Sequence, residues 1–259
     1  MPFPLYQIDA FTSQVFAGNP AAVVLLPYWL DDRTLQSIAM ENNLSETAFL
    51  FRQADHYELR WFTPVAEVDL CGHATLASAY VVFQFLEPAS RSVTFKTRSG
   101  LLAVQREDDL LAMDFPARRA LPAPPVDYLL KGLGVTPDEV LVARDHLVVY
   151  PSEAIVRALK PDMALLAQLD SLGVIATAPG EEADFVSRFF APKVGVPEDP
   201  VTGSAHCTLI PYWSERLGRK KLQAQQVSAR GGELFCEDQG TRVKIAGRAA
   251  LYLKGEIFI

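Results

Sequence analysis

The chain has 259 residues, of which 49% are hydrophobic and 21% charged, a composition typical of a globular protein with a sizeable core. Its formal net charge is −7 and it contains no Lys- or Arg-rich run, which argues against nucleic-acid binding as its main function. Three cysteines at scattered positions indicate neither a disulfide framework nor a zinc site. We find no signal-peptide pattern and no apolar run of ~18 residues, so we expect a cytoplasmic protein that does not bind membranes.

Alternating and apolar segments predict the strands and helices of the first half. Asp31 or Asp32 is the predicted N-cap of a first helix that ends near Asn43. After the break at Thr63-Pro64, a second helix made of small, apolar residues is predicted from Gly72 to Phe83. The predicted strands of this half cover residues 5–11, 21–26, 44–51, 57–62, 93–97, 101–105 and 110–115.

The segment from Pro116 to Pro125 contains four prolines and is the predicted linker. Beyond it, we predict helices at 163–169 and 204–216, together with a hairpin around Gly231-Gly232. Strands are predicted at residues 147–150, 174–177, 185–190, 242–245 and 250–259. Many short strands with one apolar helix in each half favour an α+β fold, in which a curled mixed sheet surrounds a central helix.

The second half repeats motifs of the first half in the same order. Arg60-Trp61-Phe62-Thr63-Pro64 matches Arg188-Phe189-Phe190-Ala191-Pro192, which lies 128 residues later. After a short insertion, Glu67, Gly72 and Ala74 recur as Glu198, Gly203 and Ala205 at an offset of 131 residues. Ordered matches of this kind indicate a duplication. We therefore predict two homologous domains, residues 1–116 (joined by a C-terminal strand at about 250–259) and residues 117–249.

Each central helix is predicted to begin with free N–H groups that favour an anion, although a purely structural turn would also explain either stretch. Glu46 has no acidic counterpart in the second half, where Ala176 stands, so it is a candidate general acid/base. A strand-end glutamate facing solvent is the alternative. His73 and Asp199, from opposite copies of the helix-start loop, are candidates to assist in proton transfer, with a structural role open for His73.

Cys71 precedes the first central helix, a position that can depress the pKa of a thiol and make it nucleophilic. Its counterpart in the second half is Thr202, so no pair of thiols is available. A Cys71-dependent transferase or hydrolase is therefore an alternative function, although no base is clearly paired with the thiol.

Together these motifs resemble the phenazine-biosynthesis PhzF-like family within the diaminopimelate epimerase-like superfamily. The resemblance covers nearly the whole chain. It is carried by Asp9-Ala10-Phe11, Phe16-Ala17-Gly18-Asn19-Pro20, Asn43-Leu44-Ser45-Glu46-Thr47-Ala48-Phe49, Arg60-Trp61-Phe62-Thr63-Pro64, Gly72-His73-Ala74-Thr75 and Glu198-Asp199-Pro200-Val201-Thr202-Gly203-Ser204-Ala205.

The resemblance implies two barrel-like domains with the active site between them, no metal, no organic cofactor and a homodimer. It also implies that Glu46 is the acid/base and that His73 and Asp199 assist it. A small anionic metabolite is the expected partner, with its carboxylate at Gly203 and Ser204. The full set of expected substrate-binding residues is Asn19, Ser45, Cys71, Gly72, Thr202, Gly203 and Ser204.

We therefore expect a cofactor-independent isomerase that shifts a proton by one-base catalysis within a dihydroaromatic or amino-acid-like carboxylate. The superfamily's epimerases use two cysteines, and this chain keeps Cys71 at one position and Thr202 at the other. An amino-acid epimerase or racemase and a non-catalytic small-molecule-binding protein of the same fold are the alternatives.

Overall fold

The computed structural model describes residues 2–259, and the chain divides into two compact units. Unit 1 extends to Asp114 and also includes Ala246–Ile259, and unit 2 comprises Phe115–Ile245. The predicted boundaries of the two domains lie after residues 116 and 249. Both observed boundaries lie within strands, Leu110–Pro116 and Arg242–Gly247.

Strands and helices are interspersed along unit 1. They are β1 (Pro2–Ala10), β2 (Asn19–Leu26), α1 (Asp32–Asn42), β3 (Glu46–Arg52), β4 (Tyr57–Phe62), β5 (Glu67–Val68), α2 (Gly72–Val81), β6 (Ser92–Thr97), β7 (Gly100–Glu107) and β8 (Leu110–Pro116). Asp31 caps α1 by accepting the Thr34 N–H at 3.0 Å, as predicted. Asn43, with φ of 47°, ends this helix.

Unit 2 and the C-terminal strand follow in chain order. The elements are β9 (Leu121–Pro122), α3 (Asp127–Leu133), β10 (Glu139–Val142), β11 (His146–Val149), α4 (Glu153–Ala158), α5 (Met163–Leu166), β12 (Val174–Pro179), β13 (Phe185–Ala191), β14 (Val196–Asp199), α6 (Gly203–Leu217), β15 (Lys221–Gln226), β16 (Gly232–Asp238), β17 (Arg242–Gly247) and β18 (Ala249–Phe258). A 3-10 turn at Pro192–Val194 separates β13 from β14.

The sheet of unit 1 is mixed and packs against α2. β18 and β2 both pair antiparallel with β1, β2 runs parallel to β3, and β3 pairs antiparallel with β4. β4 then runs parallel to β6, which starts the antiparallel run β6-β7-β8. α2 contacts β1, β2, β3 and β18, and eight of its ten residues are buried. It is thus the central helix, and its small side chains allow the strands to approach closely.

The sheet of unit 2 shows the same succession of pairings. β11 runs parallel to β12, β12 pairs antiparallel with β13, β13 runs parallel to β15, and β15 pairs antiparallel with β16. This is the order found for β2, β3, β4, β6 and β7 in unit 1. The helix α6 packs against β15 and β16, and its Trp213 ring stacks on Phe185 and donates to Thr177 Oγ1 at 3.0 Å. The duplication seen in the sequence thus has a counterpart in strand topology.

The C-terminal strand, the predicted linker and the end of α2 can each be compared with the prediction from the sequence. The C-terminal segment pairs with β1 along its length, from Pro2 opposite Phe258 to Ala10 opposite Ala249, as predicted. The proline-rich segment predicted as a linker is partly strand, because β9 pairs with β10. α2 ends at Val81 and continues as a π-helical turn to Leu86, where an α-helix to Phe83 was predicted. Within residues 2–259, the helices are too short or too polar to cross a membrane.

Candidate active site

The two central helices begin without a side-chain cap. Cys71 and Thr202 occupy the N-cap positions of α2 and α6, and neither side chain accepts a hydrogen bond from its helix. Asp31 and Asp162, by contrast, cap α1 and α5 through their carboxylates. The first-turn N–H groups of α2 and α6 are therefore left for other acceptors, and an anion suits such a position because the helix dipole favours negative charge.

In unit 1, Glu46 and His73 form a close pair at the start of α2. Glu46 is the first residue of β3, and His73 is the second residue of α2. Nε2 of His73 lies 2.9 Å from Oε2 of Glu46, and the two side chains are 6% and 17% exposed, respectively. The structure therefore brings together two of the three predicted catalytic residues, and neither is a solvent-facing surface group.

Asn19 supports His73 from the other side of the ring. Its Nδ2 lies 3.2 Å from Nδ1 of His73, and the residue is fully buried at the start of β2. Gly18 precedes it with φ of 65° and lies against the Ala10 carbonyl, where a side chain would collide, so the chain enters β2 in one conformation. If the Asn19 amide donates its N–H to Nδ1, then Nδ1 carries no proton and the ring proton is on Nε2, facing Glu46. If the amide is rotated, its oxygen faces Nδ1 and can accept an Nδ1–H, which suits the doubly protonated ring.

Cys71 lies against the His73 ring, and the structure corrects the expectation of a reactive thiol. Its sulfur is 3.5 Å from Nδ1 and 3.9 Å from Nε2 of His73. Burial, reinforced by the Glu46 carboxylate, raises the pKa of Cys71 to about 11, so the predicted depression of that pKa is wrong. Burial disfavours the charged His73 ring, but Cys71 and Glu46 outweigh it and hold the pKa of His73 well above its ordinary value.

Glu46, Cys71 and His73 also form a potential metal-ligand set. One ligand atom from each residue lies within 4.8 Å of the others. Ser45 directly precedes Glu46 and is half-buried, and Gly72 is the first residue of α2. Ser45, Cys71 and Gly72, three of the unit 1 residues predicted to bind substrate, therefore lie on the segments that also carry Glu46 and His73, and the fourth, Asn19, lies on β2.

In unit 2, Asp199 and Thr202 are joined by a network that includes Gln226. The Thr202 hydroxyl donates to Asp199 Oδ2 at 2.6 Å and accepts from Gln226 Nε2 at 3.1 Å. Gln226 also accepts the Thr202 N–H at 2.8 Å and donates to the Asp199 carbonyl at 2.7 Å. The hydroxyl proton and backbone N–H of Thr202 are thus both engaged within the protein, and the ligand-binding role of Gly203 and Ser204 stays a prediction.

Arg144 adds positive charge beside Ser204. Its Nη2 donates to Ser204 Oγ at 3.0 Å, and its guanidinium also donates to the buried Asp145 carboxylate at 2.8 and 3.1 Å. A guanidinium can only donate, so the Ser204 hydroxyl accepts from Arg144 and its own proton is available to an acceptor. The start of α6 thus combines a helix N-terminus with a hydroxyl donor that is oriented by the Arg144–Asp145 ion pair.

An Arg–Glu pair holds each loop that precedes a central helix. Both residues of each pair belong to the sequence repeat, which by itself indicates no function for them. Arg60 donates to Glu67 at 2.7 and 2.8 Å, and Arg188 donates to Glu198 at 2.7 and 2.9 Å. Both pairs are bidentate, a geometry that fixes the orientation of the partners as well as their distance. They attach β5 to β4 and β14 to β13 immediately before the central helices.

Gln226 and Arg144 were not predicted, because each reaches Thr202 or Ser204 from a segment that is distant in the sequence. His206 and Cys207, one turn into α6, are core residues as expected, with exposures of 0% and 3%. The active site between the two domains stays a prediction, as do the homodimer and the individual residue roles.

Comparisons with known proteins agree with these observations. The family model described as phenazine biosynthesis-like protein (PhzC-PhzF) matches residues 8–255. A Pseudomonas aeruginosa protein named as an uncharacterized isomerase is 54% identical over 259 residues, covering 100% of both chains. The crystal structure of a PhzF-family protein from Enterococcus faecalis is 47% identical, with a TM-score of 0.98 and 100% coverage of both chains.

The fold extends to more distant proteins. A hydroxyproline epimerase from Agrobacterium vitis is 10% identical, with a TM-score of 0.67 over 99% of this chain and 92% of that chain. At this identity the likeness concerns the fold alone, and it confirms the predicted diaminopimelate epimerase-like α+β class. By the match along its length and by its close relatives, the chain belongs to the phenazine biosynthesis-like (PhzC-PhzF) family, which includes proteins named as isomerases.

Proposed function

We propose that the protein is a cofactor-independent isomerase that shifts a proton within a small carboxylate-bearing metabolite, with Glu46 as the single acid/base. The observation that carries this proposal is the 2.9 Å approach of Glu46 Oε2 to His73 Nε2 at the uncapped start of α2. A largely buried carboxylate held by an imidazole has a defined orientation, which proton transfer to and from carbon requires.

In the proposed reaction the Glu46 carboxylate removes a proton from an sp³ carbon next to a conjugated system. The electrons of the broken C–H bond enter that system, the double bond moves, and protonated Glu46 returns the proton to its far carbon. Glu46 is regenerated, so atoms and charge balance without a co-reactant. His73 keeps the Glu46 carboxylate oriented and stabilises its charge when it is ionised.

The residues of unit 2 support the part of the proposal that concerns substrate charge. We infer that Gly203 and Ser204 bind a carboxylate through the N–H groups of α6 and the Ser204 hydroxyl. Arg144, 3.0 Å from Ser204 Oγ, donates to that hydroxyl, so the hydroxyl proton can point toward an anion; the charge of Arg144 is itself paired with Asp145. Asp199, tied to Thr202, is proposed to position the remainder of the substrate.

Two-base epimerisation is less well supported by the side chains present. It needs a second proton carrier, and the Cys71 thiol has a pKa raised to about 11 by burial. Thr202, its counterpart in the repeat, already donates its hydroxyl proton to Asp199. A one-base shift on a single face needs neither group, which favours Glu46 as the only proton carrier.

The test is solvent-deuterium exchange into a panel of small unsaturated carboxylic acids, followed by NMR. The wild-type protein should incorporate deuterium into, or isomerise, at least one acid. Glu46→Gln keeps the size of the side chain and should reduce the rate by roughly 10³–10⁴-fold, toward the upper end for acid/base catalysis, while binding of the acid persists. Glu41→Gln makes the same change at an exposed position of α1 and should leave the rate unchanged.

Cys71→Ser distinguishes the alternative in which the thiol is the catalyst. We expect a much smaller loss than for Glu46→Gln, because the one-base mechanism gives the thiol no proton to carry. Normal turnover by Glu46→Gln combined with an inactive Cys71→Ser would show that the proposed mechanism is wrong.

A further inference from the structure

The C-terminal strand β18 lies at the end of the unit 1 sheet and is exposed along much of its length. In the described residues 2–259 it pairs with β1, which in turn pairs with β2 on its other side. Tyr252, Leu253 and Lys254 are consecutive and all exposed, so side chains on both faces of β18 reach solvent. Phe258 is 77% exposed near the end of the strand. A ten-residue edge strand with exposed apolar side chains is a template on which another strand can pair.

The side chains of β18 follow an order that is self-complementary about Gly255. Outward from this glycine, matched positions on the two sides carry opposite charges, then two aliphatic side chains, then two aromatic rings: Lys254 and Glu256, Leu253 and Ile257, Tyr252 and Phe258. If two copies of this strand pair antiparallel about Gly255, each residue lies opposite its match. Opposite charges and aromatic rings in directly opposite positions stabilise a sheet, whereas like charges destabilise it.

Gly255 has no requirement for glycine that arises within the chain. Its φ is outside the left-handed region, and among the described residues an added Cβ would meet only Leu253 Cδ2, at 3.7 Å. Glycine inside a strand weakens the strand and often marks a position that another backbone approaches closely. In the antiparallel pairing, Gly255 lies on the two-fold axis opposite itself, where the two Cα atoms are about 4.5–5.5 Å apart.

The two charges beside Gly255 are available to a partner. Lys254 and Glu256 are both exposed, and neither forms an ion pair within residues 2–259. Lys254 Nζ lies 5.7 Å from the ring centroid of Tyr6 and 4.9 Å from that of Phe85. Such cation–π contacts hold the ammonium group at the surface of unit 1 without neutralising its charge.

We propose that two copies of the chain associate through β18, as antiparallel strands related by a two-fold axis at Gly255. The contact is isologous and closed, because each copy contributes the same surface and covers the edge of the other. The family resemblance implies a homodimer and leaves its interface open, whereas the order of side chains in β18 specifies one strand and one register. The association requires neither a substrate nor the proposed isomerase activity.

Charge exchange tests the pairing of Lys254 with Glu256 of the partner subunit. Sedimentation equilibrium of tag-free wild-type protein should give twice the chain mass of 28.6 kDa. Lys254→Glu and Glu256→Lys each place like charges opposite one another at two positions of the dimer, and each should weaken the association by roughly 10-fold or more. The double variant restores opposite charges and should return the dissociation constant to within about 3-fold of the wild-type value. Lys160→Glu makes the same charge change at an exposed position of unit 2 and should leave the association unchanged.

Disulfide crosslinking tests the register. Gly255→Cys should form a disulfide-linked dimer in the presence of oxidised glutathione, because the Cα atoms of directly opposite residues lie within the range that a disulfide spans. Glu256→Cys is the control, since residue 256 and its equivalent in the other copy are diagonal neighbours about 7–8 Å apart, and it should crosslink much more slowly. The three native cysteines are buried and do not compete. Circular dichroism and the thermal midpoint of each variant report whether it has folded.

Four results would overturn the proposal. They are a monomeric wild type, a dimer that both charge reversals leave intact, a double variant that does not recover, and equal crosslinking rates for Gly255→Cys and Glu256→Cys. A monomeric wild type would leave the edge of β18 to a partner of another kind. Because these assays contain no candidate acid, their failure would leave the deuterium-exchange test of the isomerase untouched, and failure of that test would leave the dimer untouched.

Discussion

His206 provides a test of how the core of unit 2 responds to pH. It is fully buried in α6, its Nδ1–H donates to the Thr202 carbonyl at 2.8 Å, and its ring lies 6.0 Å from that of Phe185. Burial lowers the pKa of His206 to about 4, against the opposing effect of the hydrogen bond to Thr202. The folded protein therefore keeps this ring neutral at a pH at which the unfolded chain protonates it.

The expected size follows from the two pKa values. An unfolded histidine titrates near 6.5, and the difference from about 4 corresponds to about 3 kcal/mol between the protonation states. Between these values the unfolded chain binds more protons, so the free energy of unfolding falls as the pH falls. At pH 5 the loss attributable to His206 should be about 2 kcal/mol relative to pH 7.5.

Urea denaturation at pH 7.5 and pH 5 measures this loss in the wild type and in His206→Gln, whose amide can still donate to Thr202 but does not titrate. The difference between the two proteins isolates His206 because other groups titrate in both. His73, whose raised pKa gives a contribution of opposite sign that is lost as the pH rises, cancels in the same way. Equal pH dependence of the two proteins would refute the reasoning, as would an NMR titration showing His206 protonated in the folded state at pH 6.

Two further predictions concern the groups around the helix starts. Gln226→Leu should lower the free energy of unfolding by about 1–3 kcal/mol, because the buried Thr202 N–H loses its acceptor. The control Gln225→Leu, at the neighbouring position of β15, should lower the free energy of unfolding by less. Equal losses of both variants in urea denaturation would contradict this prediction. In native protein at pH 7.5, Cys71 should react with a thiol reagent at least roughly 100-fold more slowly than free cysteine, because its raised pKa leaves little thiolate. A fast-reacting thiol identified as Cys71 by mass spectrometry would be the opposite outcome.

The sequence alone was sufficient for features that depend on neighbouring residues. β4 has the predicted bounds Tyr57–Phe62, and α1 starts after its predicted cap, because alternation and capping are local effects. The repeat likewise predicted two related units and central helices that begin at or next to Gly72 and Gly203. This was possible because both copies of a duplicated motif contain the residues that form the turn and begin the helix.

Boundaries and short elements were less predictable. The helices α3 and α4 and the strand β10 were not predicted, and β9 was assigned to a linker. Each is shorter than two full turns of helix or five residues of strand, so its own propensity is weak and contacts with the rest of unit 2 decide its conformation. The proline in β9 is compatible with the short pairing of this strand to β10. A prediction based on composition alone takes the same proline as the end of regular structure.

The chemical state of the candidate site was decided by tertiary structure. Proximity to a helix N-terminus suggested an activated Cys71 thiol, but packing buries the sulfur beside the Glu46 carboxylate, and both effects disfavour the thiolate. Glu46 was identified from the repeat, yet its 2.9 Å approach to His73 depends on β3 lying beside β2 under α2. Gln226 and Arg144 left no signal near the motifs they support. Local order in this protein follows from the sequence of adjacent residues, whereas burial and the distances between charges depend on segments far apart in the chain, and those quantities set protonation and ligand preference.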